Sequence, residues 1–263
     1  MIVFAAIVPC SPLLMPSVNP ERVNAAAKTR AAFAELAEEL FAAKPDTLVL
    51  FCDHANTPPD AFAINVADPY HASLAEFGDL GYSKTYGTDF MLADNIQRTM
   101  RHNGQAVTLE TERELPFSAT VPLAFLTEHL PNVRILPIAP CTVSAKEHFD
   151  FGLTLRESLV SSSKRIAVIA CGDGSHTRSV DAPGGLHEDG EKLDTLLATL
   201  VAHHNAAGLL QINDTLRTNA QDASYRQILM LFGALDEVPV ESNVLSQEAP
   251  FGVGQLVAEL RVH

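Results

Sequence analysis

Each of four short apolar runs in this chain gives way to side chains that can do chemistry. The first ends at Cys10, the second at Cys52-Asp53-His54, the third at Cys141, and the fourth in "IACGDGSH", which carries Cys171, Asp173, Ser175 and His176. Thiol, imidazole and carboxylate are the groups that bind metals or move protons. A lone free cysteine is also a common small core residue. It is the company of two histidines that favours a site at these run ends. For "CGDGSH" three readings compete. A nucleophile elbow needs Gly-x-Ser-x-Gly, and here Ser175 precedes His176 directly, so the two cannot face each other as nucleophile and base. A phosphate loop would want Gly-x-Gly-x-x-Gly or a Walker lysine, and Asp173 would repel an anion. The third reading is favoured: His176 is presented from a strand end for proton transfer or metal binding, with Asp173 orienting a neighbour. A purely structural turn is its competitor.

Such an arrangement needs elements that bring the run ends together. The runs are "IVFAAIVP" (2–9), "TLVLFC" (47–52), "VRILPIAP" (133–140) and "RIAVIAC" (165–171), rich in β-branched residues and read as buried strands. Helical patterns lie between them. After Asn19-Pro20 a helix is expected to place Phe33, Leu36, Leu40 and Phe41 on one face. "SAKE" (144–147) reads as a capping box. Leu193, Leu196, Leu197, Leu200 and Val201 form an amphipathic stripe, "YRQILMLFGAL" (225–235) a buried helix, and "GQLVAELRV" an alternating strand. The stretch 53–90 is expected to be long, irregular and site-forming. Strands alternating with helices give an α/β fold: one domain over residues 1–263, with a mostly parallel or mixed central sheet flanked by helices on both faces. Ligands of such sheets sit beyond the carboxyl ends of the strands, where the reactive residues fall.

Composition sets the outer bounds. With 263 residues, 47% hydrophobic and 19% charged, the chain can build a large core without disulfide staples. A formal charge of -14 argues against nucleic acid or an anionic membrane as the main partner. No apolar run reaches the ~18 residues of a membrane span. The opening "MIVFAAIVPCSPLLMP" lacks a basic leader and reads as a strand. Four cysteines without an export signal point to reduced thiols and a cytoplasmic location. A homo-oligomer stays open. The remaining histidines read as surface groups: His203 and His204 on the leucine-striped helix, His71 in a loop, and His263 at the terminus. His187 could approach the site after its Gly-rich turn, and Asp53 is expected to face away from its neighbour His54.

Five segments together resemble the catalytic-subunit (LigB-type) family of class III extradiol ring-cleavage dioxygenases, to which Memo-like proteins are related. They are "VPCSPLLMPSV", "LVLFCDHANTPPDAFAIN", "PFSATVPLAFL", "IAVIACGDGSHTRSVDAPGG" and "DASYRQILMLFGALDE". The resemblance implies a mononuclear Fe(II) site of two histidines and a carboxylate, with a separate histidine as acid/base and a small catechol-like aromatic as substrate. Carried over by position, His54 matches a histidine ligand, His176 the acid/base, and Asp222 the carboxylate, one methylene shorter. Cys10 stands in place of the other histidine ligand. Phe117 and Pro116 replace a histidine and an aspartate of the substrate wall.

Those departures have chemical consequences. A thiolate in place of an imidazole brings the formal charge of the Fe(II) site to about zero and weakens its hold on a catecholate. It is also open to oxidation beside activated oxygen. Thiolate, imidazole and carboxylate suit Zn(II) well. Three functions are therefore expected to compete: an iron-dependent ring-cleaving enzyme, a Memo-like relative that keeps the pocket for a binding or structural role but has lost ring cleavage, and a zinc or copper site using Cys10 and His54, with Cys52 or Cys171 as a further candidate ligand. Fe(II) is the expected cofactor, with Zn(II) or no metal as the alternatives.

Overall fold

The structure is a computed structural model that describes residues 1–53 and 59–263. In chain order its elements are β1 (Ile2–Val8), α1 (Ala27–Ala43), β2 (Thr47–Phe51), β3 (Phe62–Asn65), β4 (Tyr70–Leu74), β5 (Asp79–Tyr86), α2 (Phe90–His102), β6 (Val107–Glu110) and α3 (Phe117–Leu126). There follow β7 (Arg134–Ala139), α4 (Ala145–Ser161), β8 (Ile166–Cys171), α5 (Glu188–Ala202), α6 (Ala206–Leu210), α7 (Asp214–Ala220), α8 (Tyr225–Ala234), β9 (Val240–Glu248) and β10 (Gln255–Val262).

Eight of the strands form one mixed sheet in the order β6-β3-β7-β2-β8-β1-β10-β9. The four apolar runs become its centre: β7, β2, β8 and β1 are successive parallel neighbours. Alternate residues of each strand face opposite ways, and both faces are covered. On one side Val49, Phe51, Leu136, Ile138 and Val168 join α2, α4, α5 and α8. On the other, Leu48, Leu50, Ile135 and Ile169 join α1, α3 and the β4–β5 hairpin. α4 and α8 approach so closely that a Cβ on Gly152 would overlap the Met230 carbonyl, and one on Gly233 the Phe149 carbonyl.

The capping box forms as read: the Ser144 amide donates to Glu147 at 2.9 Å, and the Glu147 amide to Ser144 Oγ at 3.3 Å. Several expectations need correction. Residues Pro20–Ala26 are a 3-10 stretch, and α1 starts only at Ala27. Phe33, Leu36 and Leu40 are buried, but Phe41 is 50% exposed, meeting the His129 ring edge-on. The expected irregular stretch holds β3 and a two-stranded hairpin of β4 and β5, with His71 on a strand. β10 pairs antiparallel with both β1 and β9, and Val257 and Glu259 are buried along with Ala258 and Leu260. His204 is half-buried, stacked on Phe232 and bonded to Ser242 Oγ at 3.2 Å, because it turns off α5 through a left-handed φ of 46°. The terminal His263 is tied down through its amide to the Pro239 carbonyl. No helix among the described residues is long and apolar enough to cross a membrane.

Candidate functional site at the carboxyl edge of the sheet

Because β2, β8 and β1 are adjacent and parallel, the segments that follow them leave the sheet at one edge. There they open a cleft of about 680 Å³ whose walls include Cys10, Asp53, Phe77, Phe117, Asp173 and His176. Cys10 comes from the end of β1, Asp53 from β2, and Asp173 and His176 from β8. The hairpin contributes Phe77, which meets Phe117 at the start of α3 edge-to-face, with ring centroids 5.6 Å apart.

The glycines of "CGDGSH" are explained by packing. A Cβ on Gly172 would come within 2.6 Å of the Ala223 carbonyl oxygen, and one on Gly174 within 2.7 Å of Asp194 Oδ1. The space a phosphate would need is filled by protein. Ser175 is wholly buried, and its Oγ donates to Asp194 Oδ2 at 2.7 Å, so it is no exposed nucleophile. Asp194 also accepts from the Ser175 amide at 2.9 Å and pairs with Arg178 at 2.7 Å. It braces the turn from behind.

That turn holds the two chemical groups differently. Asp173 Oδ1 accepts the amides of Cys10 at 2.8 Å and Ser11 at 3.2 Å, tying the end of β1 to the end of β8. Gln255 adds a longer bond at 3.4 Å. Burial raises the Asp173 carboxyl above the usual carboxylate range, against these amides and nearby His176. His176 is half-buried, and its Nδ1 lies 2.9 Å from the Gln221 carbonyl oxygen. A carbonyl only accepts, so Nδ1 carries the proton and the neutral ring keeps Nε2 as its acceptor.

The metal ligands expected from the sequence are not placed alike. His54 lies outside the described residues. Cys10 is on the cleft wall, and burial first, then the Asp173 carboxylate, pushes its thiol well above the ordinary range. Asp222 lines a neighbouring pocket of about 300 Å³ that shares Asp53 and Ala223 with the cleft. Its Oδ1 accepts from Ser224 Oγ at 2.9 Å and its Oδ2 from the Tyr225 amide at 3.0 Å, an arrangement that caps α8. Among the described residues no three His, Cys, Asp or Glu side chains gather as a metal site. His54, one member of the expected Fe(II) or Zn(II) set, is not among the residues searched. Cys52 and Cys171 pack in the core beside α1, and Cys141 in the opposite core.

A family model described as "Catalytic LigB subunit of aromatic ring-opening dioxygenase" matches residues 4–258. The chain belongs to the LigB family. Among curated proteins it is similar to Protein CA_C1420 from Clostridium acetobutylicum, 24% identical over 263 residues that take in 97% of this chain. The chain spans 56% of that protein's length. Among solved structures it is similar to the uncharacterized protein JW3007 from Escherichia coli K12, with a TM-score of 0.68 and 14% identity over 98% of this chain and 99% of that one. That likeness speaks to the fold alone.

For a LigB chain, sequence reading singled out Cys10, Pro116, Phe117, Asp173 and His176, all of which line the cleft, and missed Glu76, Phe77 and the position of Asp53. Asp53 lines both the cleft and the neighbouring pocket, its Oδ1 accepting from Gln227 at 3.0 Å and its carbonyl from Ser118 Oγ at 2.7 Å. Glu76 and Phe77 arrive on a hairpin whose first strand alternates Tyr70, Ala72 and Leu74 with His71 and Ser73, a pattern too short to stand out between Asp68-Pro69 and the polar β5. His187 caps α5 and lines a different groove with Arg178 and Leu186. Asp194 did leave a signal, a carboxylate next to Leu193 within the leucine stripe of α5 and beyond the acidic first turn of Glu188, Asp189 and Glu191.

Proposed function

We propose that the cleft holds a small phenolic or catecholic ring and that Nε2 of His176 accepts its hydroxyl proton. The observation that carries this reading is the bond from His176 Nδ1 to the Gln221 carbonyl, which fixes the tautomer and keeps the other nitrogen as a base. The edge-to-face pair of Phe77 and Phe117 offers an aromatic wall, and Leu13 and Pro183 add apolar surface. Cys10 enters this reading as a protonated wall residue. Asp173 acts through the backbone, fixing the Cys10 turn against the His176 turn. The role is that of a LigB relative that binds its ring, in keeping with the Memo-like resemblance. Calorimetric titration with catechol tests it: binding weakened about tenfold by His176→Gln is expected, and no binding by the intact protein would overturn it.

A second reading, Fe(II)-dependent extradiol ring cleavage, is favoured by the family match across residues 4–258. It assigns the metal to His54, Cys10 and Asp222. Anaerobic loading with Fe(II), then oxygen uptake on a panel of catechols, separates the two. Catechol-dependent uptake would establish cleavage, and none from protein with iron bound would dismiss it.

A further inference from the structure

We propose that the cleft selects aromatic ligands bearing a positive charge, such as aryl-alkyl amines, over aromatic acids; this rests on the ring-binding reading above. Among the described residues three acidic side chains line the cleft, Asp53, Glu76 and Asp173, and no lysine or arginine does. Glu76, exposed at the hairpin, makes no hydrogen bond or ion pair with any described residue, so its charge is uncommitted. Asp53 accepts a single bond on its carboxylate from a described residue, the neutral Gln227 amide, but burial raises its carboxyl and Arg226 of the neighbouring pocket offsets part of its charge, so Glu76 contributes most. Asp173 is already engaged by the Cys10 and Ser11 amides and contributes least.

Arg217 and Arg226 line the neighbouring pocket instead, beside Asp222. An aromatic acid in the cleft would set its anion beside Asp53 and Glu76, with no lysine or arginine among the described residues that line the cleft. An ammonium there meets those carboxylates together with the Phe77–Phe117 pair, whose ring faces attract cations. The net charge of -14 adds a general attraction for cations on approach.

Three phenols that share a ring and differ at the para arm test this: tyramine, 4-ethylphenol and 3-(4-hydroxyphenyl)propionate, titrated calorimetrically into the full chain. Tyramine is expected to bind about fivefold tighter than 4-ethylphenol, and the acid weakest of the three. The lead should shrink between about 20 mM and about 300 mM salt, because exposed charges are screened. Glu76→Gln should narrow tyramine's lead about twofold. Equal affinities, or an acid that binds as well as the amine, would overturn the charge selection while leaving ring binding intact. Binding by none of the three would overturn both.

Discussion

Substituting Gly254 by alanine puts the brace behind the His176 turn to a quantitative test. A Cβ at Gly254 would stand 2.6 Å from both Cγ and Oδ1 of Asp194 and closer still to Oδ2. Neither side can yield cheaply. The Gly254 amide donates to the Ser175 carbonyl at 2.7 Å, and its carbonyl accepts from the Gly174 amide at 2.8 Å. Asp194 is held by Ser175 at 2.9 and 2.7 Å and by Arg178 at 2.7 Å. Overpacking a tight site costs about 1–3 kcal/mol, and losing a bond to a charged group about 1.5–3 kcal/mol. Gly254→Ala should therefore destabilise by about 3–5 kcal/mol, read as a fall in the urea midpoint at constant slope. Gly185→Ala is the control: its φ of 72° has no atom within 4 Å of the added Cβ, so only the left-handed backbone cost of about 1 kcal/mol applies. Asp194→Ala should cost much less in the Gly254→Ala background than alone, since both act on one set of bonds. A Gly254→Ala protein within about 1 kcal/mol of wild type would refute the brace.

Three further outcomes follow from the same structure. Ser144→Ala should cost about 1 kcal/mol in chemical denaturation, because it opens the capping box of α4. All four thiols should react slowly with Ellman's reagent at neutral pH until the protein unfolds, since burial raises Cys10, Cys52 and Cys171 well above the ordinary range and Cys141 to about 11; rapid native labelling of Cys10 would contradict this. Asp173, whose carboxyl is raised by burial, favours the protonated folded state, so its contribution is greatest at low pH and is lost as pH rises from 3.8 through the folded value. Asp173→Asn should thus gain stability relative to wild type as pH rises across that window, and a gain on acidification would invert the sign.

What the sequence revealed, and what it hid, divides along physical lines. The four central strands were legible because a strand buried on both faces is a continuous β-branched run, and their parallel order then forced Cys10, Asp173 and His176 to one edge. The antiparallel additions were less so. β9, at the sheet edge, sets exposed Glu241, Asn243 and Gln247 among half-buried Val240, Ser242, Val244 and Leu245, with few apolar residues to mark a strand, and β3, at four residues, is too short to show a period. The hairpin was hidden by the Pro58-Pro59 and Asp68-Pro69 pairs, which read as loop. Phe41 shows that helical spacing alone does not decide burial at the end of a helix. Asp222 was read as a ligand by its position in a motif, although Asp-Ala-Ser-Tyr before an apolar helix is also a capping signal, and its oxygens do cap α8. The glycines of "CGDGSH" required coordinates, because Ala223 and Asp194, which crowd them, are distant in sequence.

The most direct test of the ring-binding cleft is ¹⁵N NMR of the His176 imidazole during titration with catechol. The account predicts that Nε2 changes from a free acceptor to a hydrogen-bonded or protonated nitrogen as the ligand saturates, while Nδ1 stays protonated against the Gln221 carbonyl. An imidazole unmoved by saturating catechol, with shifts confined to the groove of Leu186 and Lys192, would contradict it.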